Sequence, residues 1–438
     1  MTFANLNILP SILSALQTKG YKEPTPIQQQ SIPPVLEGKD LLGTAQTGTG
    51  KTAAYAVPVL QLLSGRQPAG GRHAMRALIL APTRELAIQI RDSFTDFGRN
   101  LQLRCTAIYG GVSQVPQVSA VRGGLDILIA TPGRLLDLMN QHIIHLDNIE
   151  ILVLDEADRM LDMGFIHDVH RIVEKVPAKR QTLLFSATMP NEIAGLAASI
   201  MHEPVRVAVS PESPTVDTIR QSLYFVNKKN KRQLLLHMLR TGDDGSVLVF
   251  TRTKYGANKL SEFLSKSNVP SEAIHGNKSQ SARQLALRHF KGRQTRVLVA
   301  TDIAARGIDI SRLAYVVNFD LPAEPETYIH RIGRTGRAGL SGTAVSFCDE
   351  NEKDELRAIQ KLIGQKIPVV EEHPFPLQPG MDAAPAENRG GRRGTPHPGN
   401  RGSSPRPART ENRGGRGRRP AARGASPIGE TPRGTAHR

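Results

Sequence analysis

The sequence predicts an α/β fold of two domains, each a parallel β-sheet flanked by helices. Three observations support this fold class. The chain has 438 residues, which is more than one hydrophobic core usually organises. Short runs of consecutive apolar residues alternate with longer amphipathic stretches, a pattern typical of strands buried on both faces of a parallel sheet. The alternation stops near the middle of the chain and then starts again.

The first set of predicted strands lies between Asp40 and about Val209. Its apolar runs are DLLGT (40–44), ALILA (77–81), DILIA (126–130), ILVLD (151–155) and TLLFS (182–186). Each run has the length of a strand, and a stretch long enough for a helix separates it from the next. We therefore predict that residues 1–209 form the first domain.

The second set follows residues 210–218 (SPESPTVDT), whose Pro, Ser and acidic residues are typical of a linker between domains. Its apolar runs are SLYFV (222–226), VLVF (247–250), RVLVA (296–300) and YVVNF (315–319). We predict that residues 219–373 form the second domain. The two halves share this alternation but little sequence.

Residues 374–438 are predicted to be a disordered, basic tail. From residue 381 onward the chain has 11 Gly and 8 Pro among 58 residues and no hydrophobic period, so it cannot offset the entropy cost of becoming ordered. The same segment has 13 Arg, no Lys and 4 acidic residues, a net charge of 13 − 4 = +9, and it contains seven Arg-Gly steps. We predict that the tail binds RNA; a merely solubilising tail is the alternative.

The net charge of the whole chain is +17, so the other 380 residues carry 17 − 9 = +8. Both parts favour a polyanionic partner such as nucleic acid. A membrane partner is disfavoured because no apolar run approaches the roughly 18–20 residues that span a bilayer. The first residues do not resemble a secretory signal, and Cys105 and Cys348 lack the spacing of a disulfide framework or a zinc site. We expect a cytoplasmic protein.

A phosphate-binding loop is predicted at residues 45–52 (AQTGTGKT). The segment follows a predicted strand and precedes the apolar stretch AAYAVPVL (53–60), and strand, glycine loop and helix form the expected setting of such a loop. Glycines let backbone N–H groups surround phosphate oxygens, Lys51 brings a positive charge to the β- and γ-phosphates, and the Thr52 hydroxyl can bind Mg²⁺. Ala45 stands where the general pattern has Gly. A chance glycine turn is the alternative.

Four residues, DEAD (155–158), follow the predicted strand ILVL. This position is the carboxyl end of a buried strand, where α/β sheets bind ligands. One carboxylate there can hold Mg²⁺ and its neighbour can orient an attacking water. Taken alone, the tetrapeptide is more often a solvated acidic helix start; after a buried strand and together with a phosphate loop, it predicts a nucleotide-hydrolysing site.

These motifs together resemble the DEAD-box RNA helicases, and the resemblance runs from Phe3 to about Gly339 in the family's order. Ala45 belongs to that family's own version of the phosphate loop. DEADRMLDMGFIHD and AIHGNKSQ particularly resemble the bacterial RhlE-type branch. The further matching segments are GYKEPTPIQ (20–28), PTRELA (82–87), GG (110–111), TPGR (131–134), SAT (186–188), VFTRT (249–253), HGNKSQSAR (275–283), ATDIAARGIDI (300–310) and HRIGRTGR (330–337).

The resemblance implies two tandem RecA-like domains, the cofactors ATP and Mg²⁺, and an assignment of the ATP site. Gln28 would hydrogen-bond the adenine edge, and Phe3 and Tyr21 would pack near the base. Thr52 and Asp155 would hold Mg²⁺. The other implied cofactor-binding residues are Ala45, Gln46, Thr47, Gly48, Thr49, Gly50, Lys51, Gly307 and Asp309.

The resemblance also implies roles in hydrolysis. Besides Lys51 and Asp155, Glu156 would position the attacking water. Arg334 and Arg337 would act from the second domain as arginine fingers, and His330 would link nucleotide state to contacts between the domains. Ser186 and Thr188 would couple hydrolysis to RNA separation.

RNA would be bound by residues of both domains that contact its backbone, so we expect little sequence specificity. The implied contacts are Pro82, Thr83, Arg84, Gly110, Gly111, Thr131, Gly133 and Arg134 in the first domain and Arg252, Gly276, Gln280, Arg283, Thr301 and Asp302 in the second.

We therefore expect an RNA-dependent ATPase that separates short duplexes, or remodels RNA–protein complexes, when ATP and RNA close its two domains. Ribosomal precursors and RNA-degradation machinery are candidate partners, and we expect a monomeric core while leaving the oligomeric state open. Two alternatives stay open from the sequence. One is an RNA-binding or annealing protein with a degenerate ATP site, and the other is a DNA helicase or translocase.

Overall fold

The computed structural model describes residues 2–46, 48–65, 73–209, 219–305, 313–335 and 342–378. They form two parallel sheets that share no strand, of seven and six strands. Two α/β domains with helix-flanked parallel sheets were predicted, and this fold class is confirmed. In the described part of the chain, no helix is both long enough and apolar enough to cross a bilayer.

The seven-stranded sheet belongs to the first domain and has the order β3-β4-β2-β5-β6-β1-β7. Its strands are β1 Leu41–Ala45, β2 Ala77–Leu80, β3 Cys105–Ile108, β4 Ile127–Ala130, β5 Ile151–Asp155, β6 Gln181–Ser186 and β7 Val205–Val209. The helices are α1 Pro10–Thr18, α2 Pro26–Leu36, α3 Lys51–Ser64, α4 Arg84–Phe97, α5 Val115–Arg122, α6 Pro132–Asn140, α7 Ala157–Asp162, α8 Ile166–Val173 and α9 Asn191–Ile200, with a 3₁₀ turn at Phe3–Leu6.

The six-stranded sheet belongs to the second domain and has the order β10-β11-β9-β12-β13-β8. Its strands are β8 Ile219–Phe225, β9 Val247–Phe250, β10 Ser271–Ile274, β11 Val297–Ala300, β12 Tyr315–Asn318 and β13 Gly342–Cys348. The helices are α10 Lys231–Thr241, α11 Lys254–Lys266, α12 Gln280–Lys291, α13 Asp302–Ala305, α14 Pro325–Ile332 and α15 Lys353–Ile363, with a 3₁₀ turn at Glu350–Glu352.

Each sheet is buried on both faces, which is why its strands appear in the sequence as continuous apolar runs. In β2, Ile79 packs into the core on one face while Leu78 and Leu80 pack into the core on the other. In the second domain, Val249 and Leu248 of β9 divide in the same way. Parallel pairing places the carboxyl ends of all strands of a sheet at one edge, and the predicted site residues follow those ends.

Four strands lie outside the apolar runs that were predicted: β3, β7, β10 and β13. β3 (CTAI) and β10 (SEAI) are edge strands with half-buried polar residues, so their sequences lack a continuous apolar run. β7 is the opposite edge of the first sheet and alternates buried and exposed positions. β13 (GTAVSFC) is largely buried but consists mostly of small residues.

A buried lysine ties the second domain together beyond its sheet. Lys231 at the start of α10 has no exposed surface, and its Nζ lies 2.5 Å from Glu352, 3.2 Å from Asp349 and 3.5 Å from Asp320. Burial alone would lower the pKa of Lys231, but the carboxylates, Glu352 above all, outweigh it and the pKa is raised. The ammonium therefore holds the segments that follow β12 and β13 against α10.

We predict that Lys231→Ala lowers the stability of the second domain by about 3–5 kcal/mol, because it leaves buried carboxylates without their cation. Calorimetry of thermal unfolding measures the loss as a lower midpoint of the second-domain transition. Lys266→Ala is the control, since Lys266 forms an exposed pair with Glu262, and the loss of an exposed ion pair changes stability little. Equal midpoints for the two variants would contradict the prediction.

Candidate active site

The phosphate loop connects β1 to α3. β1 ends at Ala45 and α3 begins at Lys51. Gly48 and Gly50 have φ of +87° and +92°, in the left-handed region that favours glycine. Lys51 is buried, and its Nζ donates to the Ala45 carbonyl oxygen at 2.6 Å. The lysine thus spans the base of the loop, as expected of a residue that faces bound phosphates.

The segment around Gln28 fixes the conformation of this loop. Gln28 is buried; its Oε1 accepts from the backbone N–H of Thr25 at 2.9 Å, and its Nε2 donates to the Gly50 carbonyl at 3.1 Å. Thr25 Oγ1 donates to the carbonyl of Thr49 at 2.8 Å. A Cβ at Gly50 would lie 2.3 Å from Gln28 Nε2, so glycine is needed there for space as well as for φ. A hydrogen bond from Gln28 to the adenine edge of ATP stays a prediction.

Three aromatic residues pack beside this segment. Phe3 is buried and its ring centroid lies 6.2 Å from that of Tyr21, edge to face. Tyr21 makes a second edge-to-face contact with Phe97, at 5.4 Å. The structure therefore brings Phe3 and Tyr21 together, and their packing near the base of ATP stays a prediction. Phe97 at the end of α4 is a partner that the sequence did not indicate.

Asp155 and Glu156 lie at the carboxyl end of β5. Asp155 is the last residue of the strand, and its Oδ2 accepts from the Tyr55 hydroxyl at 2.8 Å. Burial raises the pKa of Asp155 to about 6, and the Lys51 ammonium limits the rise. Burial, and then the charge of Asp155, raise the pKa of Tyr55 well above its usual value, so Tyr55 stays a hydrogen-bond donor. Tyr55 was not predicted as a site residue.

Glu156 begins α7 in an unusual backbone conformation. Its φ is +54°, which is uncommon for a residue other than Gly, Asn or Asp. Its Oε2 lies 2.5 Å from Nη1 of Arg159, and both residues are buried. The carboxylate that was predicted to orient water is thus held by an arginine one helical turn away.

The last carboxylate of the tetrapeptide joins the segment after β6. Asp158 Oδ2 accepts from the Thr188 hydroxyl at 2.9 Å and from the backbone N–H of Thr188 at 2.8 Å. The Asp158 backbone N–H donates to Ser186 Oγ at 3.1 Å. Ser186 and Thr188 were predicted as coupling residues, and the structure joins both directly to the carboxylate loop; the coupling role itself stays a prediction.

The residues present fit a bound Mg²⁺. Asp155 Oδ1 is buried without a hydrogen-bond partner among the described residues, and the Tyr55 hydroxyl interacts with both Asp155 and the Thr52 hydroxyl. Mg²⁺ usually binds one or two carboxylates together with substrate phosphates and water, rather than a complete protein cage. In the described part of the chain, no three His, Cys, Asp or Glu side chains come together as a metal cluster.

A small cavity lies between Arg159 of the first domain and residues of the second. Two of the predicted catalytic residues, His330 and Arg334, line it. The remaining described lining residues are Phe250, Asp302, Ala305, Thr327 and Arg331. The carboxylate loop of the first domain and α14 of the second therefore face each other.

Arg331 organises the second-domain side of this cavity. Its Nε and Nη2 donate to Asp302 Oδ1 and Oδ2 at 2.6 and 2.8 Å, and its Nη1 donates to Asn318 Oδ1 at 3.1 Å. The guanidinium carbon lies 5.0 Å from the centroid of the Phe250 ring. The Asp302 carboxylate is thus used within the protein, and its contact with RNA stays a prediction.

The predicted RNA contacts of the first domain converge on one surface. Arg84 begins α4, and its guanidinium lies against the backbone of Gly111, where a Cβ would be 2.1 Å from Arg84 Nη1. Arg134, in the first turn of α6, donates from Nη2 to the Val112 carbonyl at 3.2 Å. Thr83 and Thr131 are the N-cap residues of these two helices. All eight predicted residues of this domain therefore fall in three segments, 82–84, 110–111 and 131–134.

The predicted RNA contacts of the second domain follow β9, β10 and β11. Thr301 is buried after β11, and Gly276 is exposed after β10. Arg252, half exposed after β9, has Nη2 at 3.2 Å from Glu352 Oε1 and 3.4 Å from Glu355 Oε1. A phosphate that bound Arg252 would share this guanidinium with two carboxylates.

Gln280 and Arg283 contact the first domain instead of solvent. Both reach Glu85 Oε1, Gln280 through Nε2 at 2.9 Å and Arg283 through Nη2 at 2.9 Å, and all three residues are buried. Burial lowers the pKa of Arg283, and the Glu85 charge opposes this. Glu85 is a bridge between the two domains.

Four predicted site residues lie outside the described residues: Thr47, Gly307, Asp309 and Arg337. The predicted linker 210–218 and the tail from residue 379 also lie outside them.

Glu85, Arg159 and Arg331 were not chosen from the sequence. Each stands inside a motif that was recognised (PTRELA, DEADR and HRIG), so the motif itself was a signal. The ion-pair partners of Glu85 and Arg331 could not be predicted from the sequence, since they belong to other segments.

Comparison with known proteins shows which family this chain matches. The family model for DEAD/DEAH box helicases matches residues 25–196, and the model for the helicase conserved C-terminal domain matches residues 230–339. The DEAD-box ATP-dependent RNA helicase CshA of Bacillus subtilis (strain 168) is 43% identical over 367 residues, covering 84% of this chain and 73% of that protein. The ATP-dependent RNA helicase CshA of Limosilactobacillus reuteri is 42% identical over 364 residues, with coverages of 83% and 72%.

Solved structures are also similar to this chain. S. cerevisiae Dbp5 bound to RNA and ADP BeF3 has a TM-score of 0.73 and 31% identity, covering 84% of this chain and 95% of that chain. A Dbp5 variant bound to nup159, gle1, ip6 and ADP has a TM-score of 0.58 and 31% identity, with coverages of 83% and 95%.

We predict that Glu85 and Arg283 are energetically coupled in RNA binding. A double-mutant cycle of Glu85→Ala and Arg283→Ala, measured as RNA affinity with a non-hydrolysable ATP analogue, should give a coupling of about 1–3 kcal/mol because the pair is buried. The cycle of the exposed pair Glu262→Ala and Lys266→Ala is the control and should give additive effects. Additive effects of the Glu85 and Arg283 substitutions would contradict the prediction.

Proposed function

The chain belongs to the DEAD-box ATP-dependent RNA helicases, and from this premise we propose the roles of its residues in ATP hydrolysis and RNA unwinding. The enzyme hydrolyses ATP under stimulation by RNA and locally unwinds short duplexes or remodels RNA–protein complexes. The observation that supports the proposal is that Arg159, which is paired with Glu156 in the first domain, lines a cavity together with His330 and Arg334 of the second.

The first domain binds the nucleotide. Gln28 hydrogen-bonds adenine while holding the phosphate loop, Phe3 and Tyr21 pack near the base, and the loop residues Ala45 to Thr52 bind the phosphates through backbone N–H groups and Lys51. Thr52 and Asp155 hold Mg²⁺, which, when bound, neutralises charge on the phosphates. Gly307 and Asp309 complete the nucleotide site from the second domain.

Hydrolysis depends on positioning and on charge. Glu156 orients the attacking water, and its contact with Arg159 fixes the direction in which the carboxylate points. Arg334 and Arg337 stabilise the negative charge that develops on the transferring phosphoryl group, an effect worth about 10³–10⁵ in rate for arginine fingers. His330 makes this arrangement depend on the contact between the domains.

RNA binds across both domains and favours the closed arrangement. The helix N-termini at Thr83 and Thr131 present backbone N–H groups to phosphates, and Arg84 and Arg134 supply charge beside them. RNA and ATP therefore each strengthen the binding of the other. Closing on one strand displaces its complement over a few base pairs, each stacking step costing on the order of 1–2 kcal/mol. Loss of the γ-phosphate is transmitted to the RNA-binding surface through the hydrogen bonds that join Asp158 to Ser186 and Thr188.

The proposed domain boundaries are 1–209, 210–218 for the linker, 219–373, and 374–438 for the tail. The location of β1–β7 and β8–β13 supports the two sheet-bearing parts. Within the family, membership of the RhlE-type branch rests on DEADRMLDMGFIHD and AIHGNKSQ, whereas the relatives compared above carry the name CshA. We keep the cytoplasm as the proposed location, which suits two free cysteines, and ribosomal precursors or RNA-degradation machinery as candidate partners.

We predict that Glu156→Gln lowers kcat for RNA-stimulated ATP hydrolysis by at least about 10²-fold, because the amide cannot orient and accept from water as a carboxylate does. Binding of ATP and RNA should persist. Steady-state ATPase assays with single-stranded RNA, and with DNA of the same length, measure the effect, and Glu174→Gln on the exposed end of α8 is the control.

The same assay tests the alternatives. Hydrolysis by the native chain that neither RNA nor DNA stimulates, or that Glu156→Gln leaves intact, would contradict the proposed mechanism. Stimulation by DNA alone would favour a DNA translocase, and an absence of hydrolysis would favour an annealing protein.

For the tail, we predict that removing residues 381–438 weakens RNA binding most at low salt, because its contacts release counterions from phosphates. A salt titration of RNA affinity for the native and shortened chains measures this. If the shortened chain bound RNA at low salt as tightly as the native chain does, the prediction would be contradicted. The tail would then be only a solubilising segment.

A further inference from the structure

An exposed tyrosine lies on the second domain, in the first turn of α11. Tyr255 is 67% exposed, against 36% for Tyr21, the other exposed aromatic side chain in the described part of the chain. Aromatic side chains usually bury most of their large apolar surface. The core contacts of α11 are made by a different face of the helix, which consists of Ala257, Leu260, Ser261 and Leu264. The Tyr255 ring is therefore available to bind another molecule.

The first two turns of α11 contact the loop that follows β10. Lys254 Nζ donates to Asn277 Oδ1 at 3.0 Å, and Asn258 Oδ1 lies 2.9 Å from His275 Nε2. Gly276, one of the predicted RNA contacts, is exposed between these two loop residues. The start of α11 and this predicted RNA contact therefore belong to one surface.

Tyr255 and Lys259 occupy the adjoining face of the helix. Residues four positions apart share one face, so positions 254 and 258 lie against the loop, and positions 255 and 259 follow about 100° further round the helix. Lys259 Nζ lies 4.4 Å from the centroid of the Tyr255 ring, within the range of a cation–π contact. A single cation covers one face of a ring, so the other face can receive a second planar group.

The charge of this surface favours nucleic acid as the second group. Residues 251–261 contain three Lys or Arg residues, residues 275–283 contain two, and neither segment has an acidic residue. Cations that follow the phosphates, together with an aromatic ring on which a base can stack, are the combination that binds single-stranded nucleic acid. An acidic protein segment would match the charge but would leave the flat ring unused.

We propose that Tyr255 stacks on one base of the bound RNA strand, in addition to the predicted contacts with the RNA backbone. The inference rests on the proposed function. Backbone contacts fix the position of a strand without touching its bases, whereas the ring contacts whichever base lies on it and accepts all four, because every base has a π-face.

A stacking site of this kind distinguishes a single strand from a duplex. A base inside a duplex is already paired and stacked on its neighbours, so it reaches a protein ring only when it is unstacked, at a cost of a few kcal/mol. An unpaired base reaches the ring without that cost. Tyr255 therefore strengthens the binding of the strand that has been separated and disfavours the return of its complement at this position.

The first test measures the affinity of the full chain for a fluorescein-labelled single-stranded RNA, with a non-hydrolysable ATP analogue present. Tyr255→Ala should weaken binding at least about fivefold, the lower end of the contribution of one stacked base. Tyr255→Phe keeps the ring and should bind as the native chain does. Because stacking releases no counterions from phosphates, affinity should depend on salt equally in the native and Tyr255→Ala chains. Leu362→Ala removes an exposed apolar side chain of α15 and is the control, with native affinity expected.

The second test identifies the base. The same RNA is prepared with one abasic ribose at each position in turn, which removes a base and keeps the backbone. In the native chain, one position should lose affinity by about the same factor as Tyr255→Ala does. In the Tyr255→Ala chain, the RNA that is abasic at this position should bind as intact RNA does, because both changes remove the same contact.

Two results would overturn the inference. One is equal RNA affinity of the native and Tyr255→Ala chains, which would leave this surface to an acidic protein partner. The other is a set of abasic effects that is the same in both chains, since the ring would then contact no base. A native chain that binds no RNA in the presence of the ATP analogue would instead refute the proposed function.

Discussion

Parallel strand pairing is the constraint on which the site depends. Because every strand of a sheet points the same way, the loops that follow β1, β5 and β6 meet at one edge of the first sheet. This brings Lys51, Asp155 and Ser186 together although Lys51 lies more than 100 residues before the other two. The second sheet does the same for the segments after β9, β10 and β11. The chemistry is carried by loops, and the register of the strands decides which loops are neighbours.

Contacts between the carboxyl edges of the two sheets join the site residues of the two domains into one site. Glu85 bridges the domains on the side of the predicted RNA contacts, and Arg159 faces the second domain on the side of the ATP site. Both are buried and charged, so each contact is costly when its partner is absent. Separation of the domains would take Gln280 and Arg283 away from Glu85, which is why ligands that favour the closed arrangement can control it.

Much of this architecture could be predicted from the sequence. The buried strands are apolar throughout, and the glycines of the phosphate loop are required by positive φ at Gly48 and Gly50 and by the close approach of Gln28. These are local properties, so a short stretch of sequence expresses them. Edge strands such as β3 and β10 were less visible because half of each strand is polar.

The contacts of Glu85 and Asp302 could not be predicted, because they join residues of different segments. Glu85 and Gln280 are 195 positions apart, and Asp302 meets Arg331 from a different strand end. Predicted RNA contacts such as Gln280, Arg283 and Asp302 prove to have protein partners here. A motif indicates that a charged residue matters, but the fold decides which atom it contacts.

The central claim is that ATP and RNA jointly favour the closed arrangement in which Glu85 contacts Gln280 and Arg283. Single-molecule energy transfer tests it most directly, with dyes on cysteines placed at the exposed positions Gln102 and Lys266. Cys105 is replaced by Ser, whereas Cys348 is buried. The account predicts a large closed population only when a non-hydrolysable ATP analogue and RNA are both present. The same closed population with neither ligand, or with either ligand alone, would contradict it.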